Sequence, residues 1–239
     1  MCIRHNYLIV ERVFMKVLVV DVGGTNIKVK VSNKPEVRKF TSGELLSARE
    51  MCNLVLKNCP DWAFDRVSIG FPGVTRDNCI AAEPVNLGRG WKNYDFEKSF
   101  GKPVRVINDA AMQALGSYEG GRMLFLGLGT GLGTTLILDG IIVALEMGHL
   151  PYKKNRSFEH FVGTHGLKRV GKNRWHEYVF DVVNYLKNAM VADYVVLGGG
   201  NVKKLEKLPP GSRRGDNSLA FLGGIRLWDD KFLKKSASF

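Results

Sequence analysis

Cysteine is scarce and confined to one end of the chain. Cys2, Cys52, Cys59 and Cys79 all fall in the first third, and no two stand at the C-x2-C spacing of a structural zinc site. With no signal peptide ahead of them, they read as reduced thiols of a cytoplasmic protein. Long apolar runs are also missing. The longest uncharged stretch, Met123 to Leu138, carries four glycines and three threonines and falls short of the roughly 18–20 apolar residues that cross a bilayer. No membrane partner is expected. Acidic residues are in deficit, 23 Asp and Glu against 35 Lys and Arg, for a net charge of +12. That field favours polyanions without choosing among nucleic acid, anionic membranes and phosphorylated small molecules. The remainder is ordinary: 239 residues, 45% hydrophobic and 24% charged, which excludes disorder, collagen and a disulfide-stapled miniprotein. The length allows one large α/β unit or two small lobes with a cleft between them.

Hydrophobic periodicity organises the chain into two similar halves. Lys16 to Val22 is a β-rich apolar run ending at Gly23-Gly24, after which Ile27, Val29 and Val31 alternate with Lys28, Lys30 and Ser32, the period of a half-buried strand. This predicts a hairpin with a glycine tip. A short strand over Val37–Phe40 follows, and Thr41-x-x-Glu44 predicts a capping box for a helix running to about Asn58, with Leu45, Met51, Leu54 and Val55 on one face. Val67–Gly70 predicts the next strand. The same order recurs from Met123: a strand into Gly127 and Gly129, strands near Thr135–Leu138 and Ile141–Ala144, a helix over Trp175–Met190, and a closing strand Tyr194–Leu197 before Gly198-Gly199-Gly200. An internal duplication that turns one glycine tip from each half toward a cleft is a stronger signal than either tip alone. The expected organisation is 1–14 as a leader or extra strand, 15–118 as an N-terminal lobe and 119–239 as a C-terminal lobe.

Glycine loops cradle phosphates because the missing Cβ lets backbone N–H groups approach the oxygens. The dinucleotide pattern G-x-G-x-x-G fails here, since Leu132 and Thr134 occupy the sixth positions counted from Gly127 and Gly129. Gly166 to Asn173 approximates a phosphate-binding P-loop but has Asn where Ser or Thr must meet magnesium, and no strong strand precedes it. Both readings fail, leaving Asp21-Val22-Gly23-Gly24-Thr25-Asn26 at one tip, Gly127 to Gly133 at the other, and Gly198-Gly199-Gly200-Asn201 after the last strand.

These three elements resemble those of the sugar kinase, hexokinase, actin and heat-shock ATPase superfamily. Within it the chain resembles the ROK group (repressors, open reading frames, kinases), most closely the polyphosphate glucokinases. Gly70-Phe71-Pro72-Gly73-Val74, Asn86-Leu87-Gly88 with Trp91, Asn108-Asp109 and Glu146-Met147-Gly148-His149 extend the match in the expected order, over about Lys16 to Trp228. The resemblance implies a two-lobed α/β fold, ribonuclease H-like (actin-like ATPase), with duplicated βββαβ units. It implies phosphoryl transfer to the 6-hydroxyl of glucose or a related hexose, with Mg2+ and either ATP or polyphosphate as donor. ROK kinases commonly carry a Cys-rich zinc site after the Glu-x-Gly-His element; no cysteine follows Cys79, so no zinc is expected. Fourteen residues before the first strand cannot hold the helix-turn-helix of ROK repressors, so no nucleic acid partner is expected. Related proteins are often dimers, which makes a homodimer the assembly to test. Two alternatives are a ROK kinase for another sugar, such as mannose or an N-acetylated amino sugar, and a non-catalytic sugar-sensing regulator.

Phosphoryl transfer needs a hydroxyl held in line with the donor, neutralised charge and a carboxylate to take the proton. Asp109, between the β run Val104–Ile107 and a helix through Ala110–Leu115, is the expected base; a helix N-cap is its structural alternative. Asn108 and Asn86 are expected to position the sugar, together with Glu146 and His149, which can bind vicinal hydroxyls as acceptor and donor. Glu159 is a further candidate contact. Gly23, Gly24, Thr25 and Asn26 with Gly129, Thr130 and Gly131 are expected to hold the phosphates, and Gly198, Gly199 and Gly200 a nucleotide. Asp21 would hold Mg2+ through water, because a carboxylate beside phosphate-binding amides is repulsive without a cation between them. Lys28 reads as a solvated strand residue, and His160, His165 and His176 as members of a solvated basic face.

Overall fold

A computed structural model describes residues 15–230 and 232; the expected leader or extra strand at 1–14 lies outside them. The first half builds β1 (Val17–Val22), β2 (Asn26–Val31), β3 (Arg38–Thr41), α1 (Ala48–Asn58), β4 (Arg66–Phe71), a small hairpin of β5 (Thr75–Arg76) and β6 (Cys79–Ile80), α2 (Phe96–Phe100), β7 (Val104–Asn108) and α3 (Asp109–Ser117). The second builds β8 (Arg122–Leu128), β9 (Leu132–Leu138), β10 (Ile141–Leu145), β11 (Pro151–Lys153), β12 (Arg156–Ser157), α4 (Phe158–Val162), α5 (Thr164–Ala189), β13 (Tyr194–Gly198), β14 (Ser212–Arg214) and α6 (Leu219–Arg226).

The duplication is visible in the sheets. Strand order is β3-β2-β1-β4-β7 in the first and β10-β9-β8-β13-β14 in the second. In each, an antiparallel hairpin is extended by strands parallel to its first member. The alternation of β2 is borne out, with Ile27, Val29 and Val31 buried and Lys28 and Lys30 half-buried.

Each sheet is apolar on both faces, so helices cover both. Leu18, Val20, Ile27 and Phe71 pack with Met51 and Val55 of α1. The opposite face, at Val17 and Val19, meets Met112 of α3 and Ala220 and Phe221 of α6. In the second sheet, Leu124, Leu126 and Leu197 pack on Trp175, Val179 and Val183 of α5, while Met123, Phe125 and Val196 meet Ala114 and Leu115 of α3. Helix α3 is thus shared between the sheets. Helix α6 follows the second sheet in sequence yet covers β1 of the first, so the expected division after residue 118 separates it from the sheet it packs on.

Several local expectations are corrected. The first helix begins at Ala48, with Ser47 and Glu50 forming the capping box. Thr41 ends β3, and Leu45 lies exposed in the connecting loop. Ser-x-x-Glu and Thr-x-x-Glu are equally good caps in sequence, and the strand's demand for Thr41 decides between them. The helix expected over Trp175–Met190 is preceded by a short helix from Thr164, the two meeting at a kink at Gly171 (φ 75°, ψ 168°), so the P-loop-like stretch Gly166–Asn173 straddles a helix–helix junction. Strand β10 is a half-exposed edge of its sheet.

Candidate active site

Asp109 sits at the start of the shared helix. The expected structural alternative, that it caps this helix, is corrected: Asn108 is the N-cap, its Oδ1 accepting from the Ala111 N–H at 3.2 Å. Its Nδ2 donates to the Gly73 carbonyl at 3.1 Å, which ties the Gly-Phe-Pro-Gly turn to the helix start. Asp109 Oδ1 accepts from the Ala110 N–H at 2.8 Å. Loss of hydration pushes the Asp109 carboxyl up to about 7; the Ala110 N–H opposes this, and the like charges of Asp21 and Glu146 add to it. The same field therefore joins three of the expected site carboxylates, one from the first glycine tip, one from the shared helix and one from the second half.

Asp21 is the penultimate residue of β1, directly opposite Lys28 in the hairpin register. Lys28 Nζ lies 3.2 Å from Asp21 Oδ2, so Lys28 is an ion-pair partner rather than a purely solvated residue. The tip beyond it is closed by the Gly23 N–H donating to the Asn26 carbonyl at 3.0 Å. Ser42 grips the tip from outside: its hydroxyl donates to the Gly23 carbonyl at 2.9 Å and its N–H to the Thr25 carbonyl at 3.1 Å.

The second tip repeats this arrangement. The Gly129 N–H donates to the Gly131 carbonyl at 3.2 Å. Thr164, at the start of α5, donates to the Gly129 carbonyl from its hydroxyl at 2.9 Å and from its N–H at 3.0 Å. Asn201 Nδ2 adds a bond to the same carbonyl at 2.9 Å and one to the Thr164 hydroxyl at 3.0 Å. Gly199 has φ +82°, and a Cβ there would stand 2.5 Å from the Leu128 carbonyl. The Gly198–Gly200 turn is thus seated on the strand that feeds the second tip. Ser42 and Thr164 were missed in the sequence reading, although each is a small hydroxyl residue after the third strand or first helix of its half.

Glu146 and His149 lie together as expected, on the turn after β10 and exposed: His149 Nδ1 is 3.9 Å from Glu146 Oε2. His149 Nε2 is 3.6 Å from Glu159 Oε1, so the imidazole stands between two carboxylates. Glu159 Oε2 presses on Gly131 so closely that a Cβ there would collide with it. This contact links the Glu-His pair to the second tip. Asn86 is held beside the first glycine tip by its loop. Trp91, fully buried against Phe71 with ring centroids 5.1 Å apart, donates from Nε1 to the Leu46 carbonyl at 2.9 Å. The Gly88 N–H donates to the same carbonyl at 3.1 Å. These bonds bring the Asn86 Cβ to 3.6 Å from where a Cβ of Gly24 would stand.

Among the described residues no helix is long and apolar enough to cross a membrane. A family model described as "ROK family" matches residues 17–166. A curated polyphosphate glucokinase of Mycobacterium tuberculosis (strain ATCC 25618 / H37Rv) is 24% identical over 158 residues, covering 60% of this chain and 59% of the relative. An inorganic polyphosphate/ATP-glucomannokinase from Arthrobacter sp. strain KM superposes with a TM-score of 0.74 at 21% identity, over 88% of this chain and 97% of the other. A ROK family glucokinase from Streptomyces griseus, solved with glucose and AMPPNP, gives 0.68 at 16% identity, over 89% and 98%. The actin-like ATPase fold expected from the glycine tips is the fold of these neighbours.

Proposed function

The chain belongs to the ROK family, and from that premise we propose that it is a sugar kinase acting on glucose or a closely related hexose. The observation that carries this reading is Asp109: a recessed carboxyl at the start of the inter-sheet helix, near the Asp21 tip and the Glu146 turn, with its proton affinity raised into the neutral range. A general base is most useful with a pKa near the working pH. As the sugar hydroxyl oxygen bonds to the transferring phosphorus and the donor's phosphoanhydride bond breaks, Asp109 takes the hydroxyl proton. Asn108, Asn86, Glu146 and His149 orient the sugar so that one hydroxyl faces the donor, with Glu159 holding His149 in place.

The amides of Gly23, Gly24, Thr25 and Asn26 and of Gly129, Thr130 and Gly131 receive the phosphates, their turns kept open by the Ser42 and Thr164 hydrogen bonds. The donor is polyphosphate or ATP, the latter seated against Gly198, Gly199 and Gly200. Magnesium fits Asp21, whose hard carboxylate oxygens stand at the glycine tip with only Oδ2 taken by Lys28; when bound it would neutralise charge on the donor phosphates. The lobes follow the division near residue 118 except for α6. A non-catalytic sensor has no need of a carboxyl held near neutrality.

A coupled assay offering glucose, mannose and N-acetylated amino sugars, each with ATP or with polyphosphate, tests the reading. Turnover of one hexose that requires Asp109 is the expected result. Sugar binding without turnover on either donor would favour the sensor instead.

A further inference from the structure

The chain carries more basic residues than the glycine tips use, and the ion pairs sort them. Lys153 is 2.7 Å from Asp181, Lys172 is 2.5 Å from Glu206, and Arg174 pairs with Glu177. His176 is bonded through Nε2 to the Lys204 carbonyl at 2.8 Å. One group differs. The rings of His160 on α4 and His165 on α5 lie 5.3 Å apart, and His160 also feels the charges of Arg156 on β12 and Arg169 on α5. None of the four has an acidic partner among the described residues. The nearest carboxylate in sequence, Glu159, faces the other way, toward Gly131 and His149. Arg169, Arg156 and His165 are the charged groups whose fields act on His160.

A cluster of cations held together without a counter-charge is electrostatically unfavourable by itself and is relieved by an anion. Its position is also specific. Gly163 and Thr164, between the two histidines in sequence, touch the second glycine tip. A Cβ on Gly163 would stand 2.5 Å from the Thr130 carbonyl, and the Thr164 N–H donates to the Gly129 carbonyl at 3.0 Å. The sequence reading of His160 and His165 as scattered members of a solvated face does not account for this convergence.

We propose that Arg156, His160, His165 and Arg169 form a subsite for the distal phosphates of an inorganic polyphosphate whose reacting end lies at the Gly129–Gly131 tip. The inference rests on the kinase reading for where the reacting end sits. Two consequences follow from the chemistry of the four groups. Long chains engage the subsite and tripolyphosphate does not reach it. Binding tightens as pH falls, because loss of hydration and, after it, the neighbouring cations hold His160 below its usual range until a polyanion compensates them.

The test is direct binding of labelled polyphosphate chains to the intact protein, by fluorescence anisotropy with no sugar present, so that it does not depend on turnover. In R156A/R169A, whose side chains are exposed, the preference for a long chain over tripolyphosphate should fall by about tenfold or more, with a shallower salt dependence. In H160Q/H165Q the tightening between pH 8 and pH 6 should disappear. Unchanged chain-length preference and unchanged pH dependence in these variants, or no polyphosphate binding by the parent protein, would overturn the subsite. Failure of the kinase reading would appear separately, as binding without transfer to any hexose.

Discussion

Asn108 caps the helix on which Asp109 is the first residue, and the two neighbours therefore have separate tasks. A cap side chain turned back onto the helix amides is fixed in place, and Asn108 can offer a sugar its second Nδ2 hydrogen from that fixed position. With Asn108 in that position, Asp109 needs only the adjacent Ala110 N–H and keeps a carboxylate edge for the cleft. Replacing Asp109 with Asn should lower kcat by roughly 10²–10⁴-fold with a much smaller change in sugar KM, since a general base acts mainly in the transition state. In the parent enzyme kcat/KM should rise with pH through about 7, as the Asp109 carboxyl gives up its proton. Asp21→Asn, which removes one of the like charges, should move that limb to lower pH. Near-normal turnover by the Asp109→Asn variant would remove Asp109 from the chemistry.

The same carboxyl makes a prediction about stability, with a definite sign. Its folded pKa, about 7, lies above the ordinary value of 3.8, so between those values the folded protein binds more protons than the unfolded chain. Stability from this group is full below the unfolded pKa and is lost as pH rises through the folded one. Asp109→Asn should therefore raise the thermal midpoint at pH 8 relative to the parent, and the gain should shrink toward pH 4. A gain independent of pH would contradict the raised carboxyl.

The sequence carried the sheets because the period-2 pattern of β2, the apolar runs of β1 and β8, and the glycine tips depend on local physics. It misplaced the start of α1 because Thr41 and Ser47 offer the same capping chemistry, and only the pairing of Asn26 with Thr41 assigns Thr41 to a strand. The candidate site was legible as motifs, but its supports were not. Ser42 and Thr164 matter through bonds to carbonyls 19 and 35 residues away, and no local pattern announces such contacts. The convergence of His160 with Arg156 and Arg169 likewise depends on how α4 and α5 fold back, not on ligand spacing.

Sugar affinity should respond to the three groups around His149. Glu146→Gln and His149→Ala are expected to raise sugar KM more than they lower kcat. Gly131→Ala is the indirect version: its new methyl would displace the Glu159 carboxylate that lies beside both Gly131 and His149. The displaced group is the end of a flexible side chain, so the fold should survive while sugar KM rises. Steady-state kinetics over several hexoses provide the check, and unchanged KM for all of them in all three variants would remove this cluster from the sugar site.

Metal dependence follows from Asp21. Turnover should require Mg2+ and be insensitive to a zinc-selective chelator, because a hard carboxylate stands at the tip and no cysteine follows Cys79. Asp21→Ala should raise the Mg2+ concentration needed for half-maximal rate. Lys28→Met, which frees Asp21 Oδ2 from its ion pair, should lower it. Stoichiometric zinc lost together with the fold would contradict the first expectation, and identical Mg2+ profiles in both variants would contradict the assignment of Asp21.

The packing of α6 on α3 links the end of the chain to the base. Gly223 lies so close to the Met112 carbonyl that a Cβ would overlap it, and Gly116 meets the Leu219 carbonyl in the same way. The obstacles are backbone atoms, which cannot rotate aside, so Gly223→Ala must push the helices apart at a cost of roughly 1–3 kcal/mol. Leu222→Ala, one residue earlier on the exposed side, should stay within about 0.5 kcal/mol. Because α3 begins at Asp109 and packs between the sheets, separating it from α6 should also displace the carboxylate. The expected signature in Gly223→Ala is a loss of kcat at temperatures where unfolding curves show the protein still folded, with sugar KM little changed. Loss of stability with full kcat in the folded fraction would mean that α6 supports the fold without positioning the base.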